Sequence, residues 1–253
     1  MKAKYAFFPI AYLITTVLRF PALINGEDKI FFQLHGIGVM LVSVGIILHM
    51  AIFLRKRFVL FVLVAFWVGL FAELLGTIYG IPFGKYYYNP EVMREPYIYL
   101  VPISIPVFWA VLAYISFSTT NLILGNKKLP VIFLSFADGL WLMIFDLFLE
   151  PAATGLKAWI WIDNGPYYGV PALNFLGWLF VGFLITAVYR RSTKKSTESR
   201  QQNNIPIFIF SLLFANNALE ALYLGYKELA IVALVPIILF AAITILKPPS
   251  KNR

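Results

Sequence analysis

Apolar runs of about 20 residues recur along this 253-residue chain, and each is long enough to cross the hydrocarbon core of a bilayer as a helix. Lipid offers the backbone no hydrogen-bond partners, so such runs fold as helices whose N–H and C=O groups satisfy one another. The expected fold class is therefore all-α, a polytopic membrane helix bundle of about eight transmembrane helices. The runs lie at roughly 5–24, 31–54, 58–80, 97–124, 129–150, 170–189, 205–223 and 228–246. They occupy most of the chain, and residues 1–253 read as a single integral membrane domain. Basic residues precede the first run and no small-residue cleavage signal follows it, which reads as a retained span.

Charge sets the orientation. One set of connections receives Lys2 and Lys4, Arg55 to Arg57, Lys127 and Lys128, the basic residues of 190–200, and Lys247, Lys251 and Arg253. These are 15 of the 21 basic residues, so the positive-inside rule puts both termini and these loops in the cytoplasm of a multi-pass cell-membrane protein. The net charge of +9 thus reports topology and implies no nucleic-acid partner. The polar 190–204 loop reads as a flexible cytoplasmic linker. The opposite loops, 81–96 and 151–169, are rich in Pro, Gly and aromatic residues, a composition suited either to an interfacial belt or to ordered caps over a cavity.

Acidic groups inside these runs are costly, and each marks a candidate functional position. Glu73 lies with Gly69, Gly76, Thr77 and Gly80 on one smooth helical face that another helix can approach. Asp146 and Glu150 stand at i and i+4, just before Pro151, which is expected to end the helix. Two carboxylates brought close in a poorly solvated site share one proton, as a general acid requires. Asn216, Asn217 and Glu220 form a further polar stripe, suited to stitching helices or to function, and Asn174 and Trp178 fall at the same outer depth. Asp138 sits deeper, where pairing and catalysis are equally open. Arg19 reads as a counter-ion for one of the carboxylates and His35 as an interfacial or packing residue. The third and seventh runs share a Glu followed by Tyr and Gly, a weak trace of duplication. Without cysteine, thiolate and disulfide chemistry are excluded, and with only His35 and His49 a histidine metal site would need carboxylates as well. No metal and no cofactor is expected.

Four ordered blocks carry a resemblance. They are Glu73-x-x-Gly-x-x-x-Gly-x-Pro-Phe-Gly-x-Tyr-x-Tyr88, Val101-Pro-Ile-Ser-Ile-Pro-Val-Phe-Trp109, Asp146-x-x-x-Glu-Pro151, and Trp159-x-Trp161 followed by Gly165-Pro-Tyr-Tyr-Gly-Val-Pro-Ala-Leu-Asn-Phe-Leu-Gly-Trp178. Across residues 65–180 the chain resembles the membrane carotenoid-biosynthesis proteins that include the carotenoid 1,2-hydratases. One departure is visible: the resemblance implies Asp-Pro where this chain has Glu150-Pro151, which keeps a carboxyl group but changes its reach.

The resemblance implies hydration of the terminal 1,2 double bond of an acyclic carotenoid. A carboxyl group protonates carbon, and water captures the tertiary carbocation, with no redox cofactor. It implies a lipophilic polyene as substrate, membrane lipid as surroundings and association with other carotenoid enzymes. Glu73 or Asp146 would be the acid. Glu150, Asn174 and Glu220 would give support and position water; Tyr86, Trp159 and Trp178 would stabilise the cation. Tyr88, Trp109, Asp138, Trp161, Asn216 and Asn217 complete the expected substrate-binding set. A lycopene-type cyclase would share the protonation and let an internal double bond capture the cation. A transporter could also place acids and Asn inside a bundle. A prenyltransferase would need Asp-rich diphosphate motifs, for which Asp146-x-x-x-Glu150 is thin support.

Overall fold

The computed structural model describes residues 7–124, 129–193 and 204–246. It is a mostly helical bundle with short extended segments at one end. In chain order the elements are α1 (Phe7–Ile24), α2 (Asp28–Leu54), α3 (Phe58–Tyr79), β1 (Tyr86–Tyr88), β2 (Tyr97–Ile98), β3 (Val101–Pro102), α4 (Ser104–Leu124), α5 (Val131–Gly155), β4 (Trp159–Trp161), α6 (Ala172–Ser192), α7 (Ile205–Tyr223), α8 (Lys227–Val232) and α9 (Leu234–Leu246). Among the described residues, five stretches are long and apolar enough to cross a membrane: Gln33–Tyr79, Ser104–Leu124, Val131–Gly155, Ala172–Ser192 and Ile205–Tyr223. The first of these has 47 residues, and as one straight helix it would extend about 70 Å, roughly twice a bilayer core. It is broken at Arg55, where φ is +53° and a three-residue 3-10 turn, Arg55–Arg57, joins α2 to α3.

Several boundaries differ from expectation, each for a local reason. Helix α4 begins at Ser104 rather than near residue 97, because Tyr97–Ile98 and Val101–Pro102 pair as a tight antiparallel ribbon turning at Tyr99. Glu95 then caps α4: its carboxylate accepts from Ser104 N at 3.1 Å and from Ser104 Oγ at 2.5 Å. Pro151 does not end α5, which continues to Gly155. The Leu147 carbonyl that loses its N–H partner to the proline accepts the Tyr167 hydroxyl at 2.9 Å instead. The last run divides at Ala233 into α8 and α9, because Pro236 has no N–H to carry the ladder across. Of the expected cytoplasmic linker, 194–203 lies outside the described residues, while Arg190 and Arg191 close α6.

Small residues set the tightest packing. A Cβ on Gly139 would stand 2.3 Å from the Leu179 carbonyl oxygen, and one on Gly182 would meet Leu142, so α5 and α6 pack almost backbone to backbone. The smooth face of α3 is used differently. Gly69 is covered by the Trp109 ring of α4, and Gly76 by the rings of Phe83 and Tyr86. Aromatic rings, not a second helix backbone, fill the space beside Glu73.

Candidate functional site

The two aromatic loops form one structure. Strands β1 and β4 pair antiparallel, with Tyr86 opposite Trp161 and Tyr88 opposite Trp159. Strand alternation puts these four rings on one face, with centroids 4.9 Å apart in the first pair and 6.0 Å in the second. That face closes the end of a cavity of about 940 Å³ within the bundle. The loops are therefore an ordered cap.

The polar tips of the four rings hold two carboxylates. Glu73 Oε2 accepts from the Tyr86 hydroxyl and from the Tyr88 hydroxyl at 2.7 Å, while Oε1 accepts from Trp109 Nε1 at 2.6 Å. Glu150 Oε2 accepts from Trp159 Nε1 and Trp161 Nε1, each at 3.0 Å. Both glutamates are buried and both line the cavity. Burial, and then the Glu73 carboxylate, pushes the Tyr86 and Tyr88 hydroxyls well above the usual tyrosine range, so both remain donors. Trp109 packs against Trp178 with centroids 4.4 Å apart and the ring planes tilted by 32°, and both line the same cavity.

Asp146 lies one layer back. It is fully buried and absent from the cavity wall; Oδ2 accepts from Asn174 Nδ2 at 2.5 Å, and Oδ1 has no hydrogen-bond partner. Asn174 itself reaches the wall and so links Asp146 to the cavity.

At the α7 side the cavity meets a second polar group. Glu220 and Asn216 are buried there, and Arg19 Nη2 donates to Glu220 Oε1 at 2.5 Å and to Asn216 Oδ1. Arg19 is thus the counter-ion of Glu220, and its Nη1 donates to His35, which is tied into the cluster rather than merely packed. Asn217 also lines this side. Asp138 does not join the site. It forms a two-pronged pair with Arg190, including 2.8 Å from Nη2 to Oδ2, and takes no part in the cavity wall. Sequence reading counted Arg190 as a loop charge, yet its guanidinium folds back onto Asp138, Asn121 and the Phe117 ring. Phe83 was also missed as a site residue; it lines the cavity and packs into the spaces left by Gly76 and Gly177. Its place in the Pro-Phe-Gly block was the available signal.

The rest of the wall explains what the site can admit. Ile37, Met40 and Val44 of α2, with Ile103 just before α4 and Phe108 within it, form an apolar flank, and several of these are exposed on the bundle surface. Glu91, Arg94 and Glu95 form a charged mouth beyond the cap. Among the described residues, no group of three or more His, Cys, Asp or Glu side chains could hold a metal ion. The arrangement is a mostly apolar chamber with carboxylates and indoles at one end.

The chain belongs to the carotenoid biosynthesis protein family, whose model matches residues 34–243. It is 26% identical over 145 residues to the bisanhydrobacterioruberin hydratase of Haloarcula japonica, a match covering 56% of this chain and 47% of that protein. The chain thus matches about half the length of that relative. No solved structure matches the chain. Family membership supports a carotenoid-modifying role, and the apolar helices fit a membrane protein.

Proposed function

We propose that this protein hydrates the terminal double bond of an acyclic carotenoid end group. The observation that carries the reading is the pairing, in one cavity, of two differently held carboxylates with an apolar flank and a charged mouth. A polyene end would enter along the flank from the lipid, and water through the mouth at Glu91, Arg94 and Glu95.

The two carboxylates suit different tasks. Glu73 receives three donors and is engaged at both oxygens, which suits an anion facing a developing cation. Glu150 spends only Oε2 on its indoles and stands on the cavity wall, so it is assigned as the proton donor. Asp146, four residues earlier and linked to the wall through Asn174, backs Glu150 as the proton store. The step adds a proton to the less substituted alkene carbon, leaves a tertiary cation against Glu73 and the ring faces, and ends when water forms the C–O bond and gives up a proton.

The same reading keeps the eight crossings, with both termini and the basic loops in the cytoplasm of a prokaryotic plasma membrane. Its test is expression in lycopene-producing cells followed by mass analysis of the pigments. Hydration adds the mass of one water per reacted end. Products of unchanged mass would mean cyclisation, and unaltered lycopene would remove the proposal.

A further inference from the structure

Among the described residues that line the cavity, Asn217 is the one with an enclosed side-chain polar atom that has no hydrogen-bond partner. Asn174 is bound to Asp146, and Glu220 and Asn216 are bound to Arg19 and to each other. Asn217 is 4% exposed and lines the cavity, yet its Nδ2 is enclosed without a partner. Buried amides in folded proteins are almost always hydrogen-bonded, so one left open beside a cavity is a place for a ligand oxygen.

Its height in the bundle can be read from the ring contacts. Phe145 of α5 packs on Phe210 and Phe214 of α7, with centroids 5.4 Å away in both cases, and Phe148 packs on Phe214 at 5.3 Å. Numbering rises together on the two helices, so they run parallel and Phe214 is level with residues 145–148. One turn further on, Asn217 is level with Leu149 and Glu150, which also line the cavity.

Resting on the hydration reading above, we propose that Asn217 holds the water that captures the carbocation. Glu150 gives its proton to the alkene, the Asn217-bound water donates an oxygen lone pair to the tertiary carbon, and the resulting oxonium returns one proton to the Glu150 carboxylate. Bonds and charge balance, and no co-reactant beyond water is used. The two residues expected from sequence to position water beside Glu150, Asn174 and Glu220, are already committed to other side chains.

The role separates protonation from capture, and D₂O reads the two apart. Membranes are isolated from cells that make no carotenoid of their own and express either the wild-type protein or Asn217→Leu, and are given unlabelled lycopene in D₂O buffer. Without capture, the cation loses a proton again and leaves deuterium in recovered lycopene. Asn217→Leu is expected to lower hydration about a hundredfold while deuterium still enters lycopene at a rate near that of wild type. Asn217→Ser, whose hydroxyl and vacated space still admit a bound water, is expected to recover part of the hydration. Hydration at the wild-type rate in Asn217→Leu overturns the assignment. So does parallel loss of hydration and exchange in both variants when each is recovered from membranes at wild-type yield. If the wild-type protein neither hydrates nor exchanges lycopene, the hydration reading itself has failed, a result distinct from either of these.

Discussion

Glu73 and Glu150 are the same residue type in one cavity, and their neighbours hold them differently, which is the basis of the different roles proposed for them. Three donors converge on Glu73, so Glu73→Gln forces an amide NH₂ against hydroxyl or indole donors and removes the charge that the proposed mechanism sets against the cation. We expect the rate of pigment conversion to fall about 10²- to 10³-fold, measured as product formed per amount of protein in membranes. If Glu150 is the proton donor, Glu150→Gln should stop conversion more completely, because the N–H protons of an amide are not acidic enough to protonate an alkene. The phenols allow a separate check outside the spans. Burial raises Tyr167 from the usual 10 to about 12, and raises Tyr86 and Tyr88 well above 10. A raised folded value means that the protonated phenol is favoured by folding. The associated stability is whole below pH 10 and is lost as pH climbs from there towards the folded value. Alkaline absorbance titration should therefore show Tyr86 and Tyr88 ionising only on unfolding, and the late fraction should shrink in Tyr86→Phe and Tyr88→Phe. An unshifted titration of all tyrosines would contradict this account of the cap.

At the scale of elements, what was legible in the sequence is what local pattern dictates. Apolar runs mark the helices, and an acid within a run marks Glu73, Asp146, Glu150 and Glu220, because isolated charge in lipid is costly whatever surrounds it. Partnerships across the chain were not legible. Tyr86 meets Trp161 across 75 positions, and no periodicity sets that register. Arg190 meets Asp138 by folding back from a helix end that looks like an ordinary basic flank. Pro151 is the clearest case: locally it terminates a helix, but Tyr167 replaces the missing donor at Leu147 and α5 runs on. This predicts a coupled pair. Tyr167→Phe alone leaves the Leu147 carbonyl unsatisfied and should cost about 1–3 kcal/mol, read from unfolding in detergent. In a Pro151→Ala background the restored N–H can take that carbonyl, so the same Tyr167 change should cost much less. Equal costs in both backgrounds would mean that the hydroxyl does not support the helix.

For the molecule as a whole, the position of the cap decides which side of the membrane the chemistry faces. The ribbon of β1 and β4 joins loops that carry few basic residues, whereas the 3-10 turn at Arg55–Arg57 and the end of α6 at Arg190 and Arg191 carry many. If the basic side is cytoplasmic, the charged mouth at Glu91 and Arg94 opens away from the cytoplasm, and hydrating water comes from outside the cell. The absence of cysteine makes this directly measurable, since every introduced thiol is the sole one in the chain. Asp163→Cys places a thiol beside the cap strand β4, and Ser196→Cys places one in the basic connection after α6. In intact cells a membrane-impermeant maleimide should label Asp163→Cys and leave Ser196→Cys unlabelled until the membrane is opened. The reverse pattern would put the cap in the cytoplasm and the water supply with it. Labelling of both in intact cells would break the alternation of the crossings between these two sites, because a single passage through α6 must carry the chain from one face to the other.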